Sequence, residues 1–230
     1  MTDPNRKFPT PTIEDYLGII YTLHRDDEEV YGARLAELLN VSAPTVTVTL
    51  QRMVRDKWIV LDKDKKIRLT HTGLAAAGSI IRRHMLTEWM LSKILKIPWS
   101  EVHAEADKIE HAISGDVEKS LLETLADPKQ CPHGNPMPGS ESYSKNWKPL
   151  SDFHEKDQVV IRRVHEFLES NHELMKYLEL HNALPGSSVM ILEILPFNKT
   201  IKIKIGRQSV ILGMDVAANI YVEPQKSKRK

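Results

Sequence analysis

The sequence has a single cysteine and no long apolar run, and both scarcities narrow its class. Cys131 cannot form a disulfide within the chain, so it is an inert thiol, a reactive thiol or a metal ligand. No apolar stretch approaches the roughly 18 residues that span a membrane, and the polar start lacks the apolar core of a secretory signal. The 230 residues suffice for one large or two small domains. The composition therefore predicts a globular, cytoplasmic protein without a membrane partner.

The net charge is also small: its formal value is only +1, which argues against a bulk polycation. The basic residues are nevertheless concentrated: between Tyr31 and Thr70 there are eight Lys or Arg and four acids. A local basic excess of this kind is typical of a nucleic-acid contact surface. A solvated basic face is the alternative that charge alone leaves open.

The basic region begins with a pattern that predicts two short helices. Thr12 is expected to cap a first helix that carries Asp15 in its first turn. A helix over 33–39 is followed by a second one that Ser42 caps and that has Pro44 in its first turn, which predicts a helix-turn-helix. The short side chains of the second helix can approach a major groove, and its later arginines can meet phosphate. The candidate DNA-contacting residues of this helix are Ser42, Pro44, Thr45, Thr47, Val48, Arg52 and Arg55.

Directly after this helix, W-I-V-L-D-K-D-K-K-I-R-L-T predicts a β-hairpin around an Asp/Lys turn. A basic hairpin after a helix-turn-helix is typical of a winged helix, in which Lys63, Lys65 and Lys66 would lie along the DNA backbone. A generic hairpin with solubilising lysines is the alternative reading. The preceding order of three helices favours the wing.

The stretch 101–114, E-V-H-A-E-A-D-K-I-E-H-A-I-S, carries the strongest chemical signal. If it forms one helix capped by Ser100, its histidines and acids project from one face. A preceding long helix, predicted from a cap at Thr72 to about residue 96, repeats the i, i+4 spacing. Nitrogen and oxygen donors in this number suit Mn(II) or Fe(II). The candidate ligands in these two helices are His84, Glu88, His103, Asp107, Glu110 and His111.

Beyond a shorter helix from Ser114, the composition shifts to Pro, Gly, Ser and Asn between residues 126 and 149, which predicts a linker. It contains Cys131 and His133. Further on, four or five short β-strands within about 75 residues predict a small, partly closed β-barrel. The final K-S-K-R-K predicts a basic tail.

Taken in order, these motifs resemble the diphtheria-toxin-repressor family of metal-dependent transcriptional regulators. The resemblance covers nearly the whole chain and is carried by T-I-E-D-Y-L-G-I-I-Y-T-L, S-A-P-T-V-T-V-T-L, L-T-H-T-G, R-R-H-M-L-T-E-W-M-L, V-H-A-E-A-D-K-I-E-H and H-G-N-P-M-P-G. It implies a mainly α fold with a small β domain: a winged helix-turn-helix (1–74), a helical dimerisation and metal-binding domain (75–127), a linker (128–150), an SH3-like domain of FeoA type (151–224) and a basic tail (225–230). It also implies a homodimer that binds a pseudo-palindromic operator when metal is loaded.

The resemblance also assigns the ligands. The family's primary site falls on Asp15, Asp107, Glu110 and His111, and its ancillary site on His84, Glu88 and His103. Cys131 and His133 resemble the Cys-x-His that streptococcal-type manganese regulators add to a metal site. The SH3-like domain is expected to supply one further ligand, for which Asn171, His172 and Glu173 are candidates.

Two departures from the iron branch bear on the metal. Asp15 and Asp107 stand where iron-type members place a Met and a Cys, which makes the primary site harder and more anionic. Mn(II) is therefore predicted as the activator, with Fe(II) as the alternative. At the DNA helix, Val48 replaces a polar residue and can meet a thymine methyl group.

Two rival functions follow from other readings of the same residues. One is a metal-independent winged-helix regulator in which the histidines and acids form a buried polar network. The other is a small metallohydrolase that uses Glu110 or Glu88 as base over a bound water. No nucleophile elbow, phosphate loop or H-E-x-x-H occurs, so the sequence predicts a protein that is not an enzyme.

Overall fold

A computed structural model describes residues 8–225, and its contacts divide the chain into two compact units that meet in sequence between Arg83 and His84. The predicted basic tail falls almost entirely outside the described residues. Within 8–225, no helix is both long and apolar enough to cross a membrane.

The first unit is a three-helix head with a two-stranded wing. Its elements are α1 (Pro11–Arg25), α2 (Gly32–Leu38), α3 (Ala43–Arg55), β1 (Ile59–Leu61), β2 (Ile67–Leu69) and the first part of α4 (His71–Trp89). Leu17, Ile20, Leu35 and Met53 are fully buried, so the apolar side of each of the first three helices faces the interior. The antiparallel wing pairs Ile59 with Leu69. The predicted winged helix-turn-helix is confirmed.

Two predicted helix starts are wrong by two residues. The first helix begins at Pro11 behind Thr10, so Thr12 is not its cap and Asp15 lies beyond the N3 position. Helix α4 begins at His71, and the hydroxyl of Thr70 accepts a hydrogen bond from the Gly73 amide at 3.0 Å. In both cases the threonine that precedes the helix stands two residues earlier than predicted. A proline at N1 begins the first helix, and a short turn from the wing leads into α4.

The helical part of the second unit is more broken than expected. α4 passes into a π-helical turn, Met90–Ile94, and is followed by α5 (Val102–Ala106), a 3-10 turn (Glu110–Ala112) and α6 (Gly115–Thr124). The predicted single helix over 101–114 is wrong, because hydrogen bonding changes from i−4 at Asp107 to i−3 at Ile109 and Ala112. Asp and β-branched Ile are poor helix formers, which favours this change. Ser100 does not cap a helix; its hydroxyl donates to Glu179 at 2.6 Å.

The C-terminal part of the second unit is a six-stranded antiparallel sheet with strand order β3-β8-β4-β5-β6-β7. Its elements are β3 (Lys148–Pro149), β4 (Gln158–Val164), α7 (Glu166–Glu169), α8 (His172–Leu180), β5 (Ser188–Leu195), β6 (Thr200–Ile205), β7 (Gln208–Gly213), α9 (Met214–Ala217) and β8 (Ile220–Pro224). Alternate strand residues such as Ile161, Ile191 and Ile203 are fully buried and form its core. The predicted fold class, mainly α with a small SH3-like β domain, is confirmed.

The segment predicted as a linker includes a packed turn. Residues 131–137 are all buried, and the Cys131 amide donates to the Asn135 carbonyl at 2.9 Å. The Val164 amide donates to the His133 carbonyl at 2.8 Å, which fastens the turn to the end of β4. Hydrogen bonds within the turn and to β4 therefore compensate for its lack of regular structure.

Candidate metal centre and nucleic-acid interface

The second unit brings together side chains of the kinds that bind metal ions, most of them buried. They come from α4, α5, the packed turn and α7, which brings together residues more than eighty positions apart. One group combines His84, Glu88, His103 and Glu169, and a second, sharing Glu88, adds Cys131 and His133; within each group the donor atoms lie within 4.8 Å of one another.

The separations between these donor atoms are those of a shared coordination shell. Glu88 Oε1 lies 3.2 Å from His84 Nε2, 3.3 Å from His103 Nδ1 and 3.2 Å from His133 Nδ1. Glu169 Oε2 lies 2.8 Å from His103 Nδ1. Neighbouring ligands of one octahedral ion are about 3 Å apart, since each is bound at about 2.1 Å. The donors of each group therefore have a spacing that could hold a cation, and Glu88 is shared between the two groups.

His133 has the ring orientation that a ligand needs. Its Nε2 lies 3.1 Å from the carbonyl oxygen of Trp99, which can only accept, so Nε2 carries the proton. Nδ1 then faces Glu88 and Glu169, and it is buried without a hydrogen-bond partner. Glu88 Oε2 is also buried without one. Buried polar atoms are rarely left unsatisfied, and metal-binding histidines usually anchor the other ring nitrogen in this way.

Charges within the centre compensate one another. Burial by itself lowers the pKa of His103, but the Glu169 and Glu88 carboxylates outweigh it and raise that pKa to about 10. Burial opposes the charged form of Glu88, yet His133 and His84 hold its pKa well below the usual range. Burial, followed by the charges of Glu88 and Glu169, raises the pKa of the Cys131 thiol. Carboxylates and imidazoles thus stabilise each other in a space where a lone charge would cost several kcal/mol, roughly.

The other predicted ligands of this unit lie beside the buried centre. Glu110 contacts His84 Nδ1, and Asp107 Oδ1 lies 3.4 Å from the same nitrogen. His111 Nε2 lies 3.7 Å from Glu110 Oε1. His84 therefore contacts both predicted sets through its two ring nitrogens, a link that sequence reasoning did not foresee. Asp15 lies on α1 of the first unit.

The SH3-like domain presents a carboxylate to the histidines, but from a position ahead of the predicted candidates. Asn171, His172 and Glu173 are exposed at the start of α8, and none of them belongs to a donor group found within residues 8–225. The carboxylate that reaches the histidines is Glu169, which is 3% exposed. It is presented by the short helix α7 directly after β4. In the sequence, Glu169 is indicated only by the acidic stretch E-F-L-E, which follows a buried strand and ends two residues before Asn171.

The first unit carries the predicted DNA-contacting residues on one helix and the wing. Ser42 caps α3 through a hydrogen bond from the Thr45 amide, as predicted. Val48 is 67% exposed, which is unusual for a branched apolar side chain in a helix. The exposed candidates are Ser42, Pro44, Thr45, Thr47, Val48, Arg52, Arg55, Lys63 and Lys65.

Several of these side chains are engaged in hydrogen bonds or ion pairs within the protein, which limits the groups that they can present to DNA. The hydroxyl of Thr47 donates to the Ala43 carbonyl at 2.9 Å, so it presents mainly its methyl group outward. Arg55 lies 3.2 Å from Asp56. Lys66 is partly buried and pairs with Glu29 at 2.5 Å, whereas Lys63 and Lys65 project from the wing.

Comparison with known proteins agrees with this architecture. Three family models match in order: the N-terminal DNA-binding domain of iron-dependent repressors over residues 9–67, their metal-binding and dimerisation domain over 70–139, and the FeoA domain over 148–224. The iron-dependent repressor IdeR of Mycobacterium tuberculosis is 33% identical over 223 residues, covering 92% of this chain and 96% of the relative.

Solved structures agree as well. The manganese regulator SloR superposes with a TM-score of 0.75 at 30% identity, covering 94% of this chain and all of that one. A manganese-dependent transcriptional repressor in complex with manganese superposes with a TM-score of 0.82 at 27% identity, covering 93% and 100%. Similarity that extends over nearly the full length of both chains places this protein in the diphtheria-toxin-repressor family of metal-dependent transcriptional repressors.

Proposed function

We propose that this repressor is loaded by Mn(II), with Fe(II) as the alternative, and then binds a pseudo-palindromic operator as a homodimer in the cytoplasm. The observation that carries the proposal is the buried convergence of three imidazoles, two carboxylates and a thiol in the second unit. Glu88 and His133 are fully buried, which supports a regulatory rather than a catalytic role.

The buried centre would hold the ion through His84, Glu88, His103, Cys131, His133 and Glu169. When bound, the cation supplies the positive charge that the carboxylates otherwise obtain from protonated histidines. The chain's own contribution is to fix the ring orientation of His133 and to exclude water. The set formed by Asp107, Glu110 and His111, with Asp15 as a further ligand implied by the resemblance, is proposed as the switch that favours DNA binding.

Mn(II) is proposed because the donors are numerous and include hard carboxylate oxygens in both sets. Zn(II) in proteins prefers four ligands, whereas Mn(II) accepts six with several oxygens. Affinity by itself runs in favour of the other metals, so coordination number and metal availability must provide the selectivity. Cys131 is the one soft donor in the set.

The metal assignment predicts a graded response of operator binding. Fluorescence anisotropy would be measured on a duplex selected by the protein from a random pool, at buffered free concentrations of Mn(II), anaerobic Fe(II) and Zn(II). We expect Mn(II) to raise operator affinity at least tenfold, and Fe(II) to approach it. Activation by Zn(II) alone at comparable free concentrations would contradict the choice of metal.

The same assay separates the two donor sets. Asp15→Ala, Asp107→Ala and His111→Ala should each lower the metal-dependent gain in operator affinity, because each removes a proposed switch ligand. The buried centre remains intact in these variants. If all three variants bound the operator with undiminished affinity and without metal, these residues would not form the switch.

For the DNA surface, we propose that α3 enters the major groove and that Val48 reads a thymine methyl group. The Thr47 and Thr49 hydroxyls donate to backbone carbonyls of their own helix at 2.9 Å, so beside Val48 these two side chains offer mainly their methyl groups. Apolar contact is the usual way to recognise that methyl group. Lys63 and Lys65 of the wing and Arg52 and Arg55 of α3 would contact phosphates.

This assignment predicts sensitivity to uracil. Replacing the contacted thymine by uracil in both half-sites removes one methyl burial each, about 0.8 kcal/mol apiece, so wild-type affinity should fall about 15-fold. Scanning each thymine in turn by anisotropy finds the position. The operator affinity of the Val48→Ala variant should hardly change when uracil replaces that thymine. If the variant loses as much affinity as the wild type, Val48 does not make the contact.

Homodimerisation is proposed to use an apolar groove of the second unit. The groove has a volume of about 370 Å³ and lies between the π-helical turn and α6. Leu95, Ile94 and Val117 are 58%, 51% and 43% exposed, far more than is usual for neighbouring apolar side chains. The family model that matches this region is described as a dimerisation domain. The groove therefore fits a second copy of the chain.

Leu95→Glu is expected to weaken the dimer at least 100-fold, because two carboxylates would be buried without partners across a twofold axis. Sedimentation velocity over a concentration series would measure the dissociation constant. Leu180→Glu is the matched control, since Leu180 is 74% exposed on α8 in the same unit. A dimer equally weakened by both variants, or by neither, would exclude this groove as the interface.

A further inference from the structure

We propose that Asn135 is a positioning residue for the metal centre: its amide, oriented by the buried Arg163, fixes the Glu169 carboxylate with one oxygen directed at the histidines. The inference rests on the proposed metal binding at this centre. It concerns a residue that donates to a ligand and does not itself belong to the donor groups.

Asn135 is fully buried and its amide hydrogens are both used. Its Nδ2 donates to Glu169 Oε1 at 2.6 Å and to the Val164 carbonyl at 2.8 Å. The same nitrogen lies 3.8 Å from Cys131 Sγ. One side chain therefore contacts two of the proposed ligands and the end of β4.

Arg163 determines which way the amide faces. Its Nε donates to Asn135 Oδ1 at 2.5 Å, and its guanidinium lies 4.6 Å from the ring centre of Tyr221 and 3.2 Å from Glu166. An arginine has only donors, so the amide oxygen must face it. The amide nitrogen must then face Glu169. A flipped amide would place its NH₂ group against the Arg163 Nε–H donor and its oxygen against the Glu169 and Val164 oxygens.

The hydrogen bonds from Arg163 to Asn135 and from Asn135 to Glu169 determine which Glu169 oxygen faces the histidines. Oε1 accepts from Asn135, which leaves Oε2 at 2.8 Å from His103 Nδ1 and 3.4 Å from His133 Nδ1. Without the amide donor the carboxylate can rotate about its terminal bond, because Oε1 loses the hydrogen bond from Asn135. Groups that orient a metal ligand in this way typically change metal affinity 10- to 100-fold when removed.

The turn that carries Asn135 is held tightly enough to keep this geometry. A Cβ at Gly134 would lie 2.0 Å from the carbonyl oxygen of Arg162, so the turn backbone lies directly against β4. Asn135 thereby stands at a fixed distance from Arg163, and the amide cannot follow a displaced carboxylate.

The test exchanges donor and acceptor across the Asn135–Glu169 hydrogen bond. Asn135→Asp keeps an acceptor for Arg163 but sets a second carboxylate against Glu169, and we expect Mn(II) affinity to fall 10- to 100-fold. Glu169→Gln alone turns its amide NH₂ toward the histidines, because Asn135 still donates to its oxygen. In the double variant the new amide donates to the carboxylate at position 135, so its oxygen faces the centre again. We expect the double variant to bind Mn(II) at least tenfold more tightly than Glu169→Gln.

Mn(II) affinity is read from the EPR signal of the free ion, and the Co(II) absorption spectrum reports the coordination shell independently of operator binding. Asn219→Asp is the control, since the Asn219 amide donates to a backbone carbonyl at the surface of the same unit. A double variant no tighter than Glu169→Gln, or an Asn135→Asp variant equal to wild type, overturns this inference alone. A wild-type protein that binds no Mn(II) overturns the proposed function as well.

Discussion

Glu88→Gln is expected to weaken Mn(II) binding by at least about 100-fold, which corresponds to about 2.8 kcal/mol. Glu88 is the only residue common to both donor groups, and one of its oxygens lies within 3.3 Å of three imidazole nitrogens. Glutamine has nearly the same shape, but it is neutral and would point an NH₂ group at a cation or at histidine nitrogens. The loss therefore combines a missing negative charge with a donor facing the wrong way.

The control is Glu105→Gln. This residue lies on α5 and pairs with Lys108 at 2.7 Å on the surface, so the substitution removes the same charge from the same unit without touching the centre. Titration of Mn(II) followed by EPR should give a wild-type affinity for this variant. If the two glutamine variants bind Mn(II) equally, the buried group is a polar network and the metal lies elsewhere.

Gly134→Ala is expected to destabilise the second unit by about 3 kcal/mol or more. The glycine has φ +89°, a region where an L residue is strained by about 1–2 kcal/mol. A methyl group there would also overlap the Arg162 carbonyl oxygen, which lies 2.0 Å from the ideal Cβ position. Relief requires the turn to leave β4, and this would displace Cys131 and His133. Mn(II) affinity should therefore fall together with stability.

Gly139 supplies a matched control in the same stretch of chain. Its φ is +90°, but a Cβ there would meet no atom within 4 Å. Gly139→Ala should thus cost only the backbone strain, about 1 kcal/mol, and leave Mn(II) binding unchanged. Urea unfolding compares the two variants. Equal destabilisation would mean that close approach of the turn to β4 contributes nothing.

Much of the fold could be predicted from the sequence because local signals and order agreed. Ser42 and Pro44 mark the start of α3, and alternating apolar residues mark the strands of the C-terminal sheet. Errors arose where tertiary contacts override local preference. Ser100 has the sequence context of a cap, yet its hydroxyl donates to Glu179, some eighty residues away. The Pro- and Gly-rich stretch suggested a linker, whereas burial of 131–137 depends on contacts with β4.

The candidate site was predictable to a similar degree. Spacing pointed to the residues of α4 and α5, although the single helix assumed for residues 101–114 ends at Ala106. Glu169 was missed because α7 is only four residues long and gives no periodicity to read. Asn135 was missed because an amide in a loop carries no chemical signal by itself. Its significance appears only when Arg163 and Glu169 are seen on either side of it.

The most direct test of the account is anomalous diffraction from crystals of the Mn(II)-loaded protein, recorded on both sides of the manganese absorption edge. The account predicts an anomalous peak among the donor atoms of His84, Glu88, His103, Cys131, His133 and Glu169. A Mn(II)-loaded crystal with anomalous peaks only at other positions, and these six side chains still contacting one another directly, would contradict it.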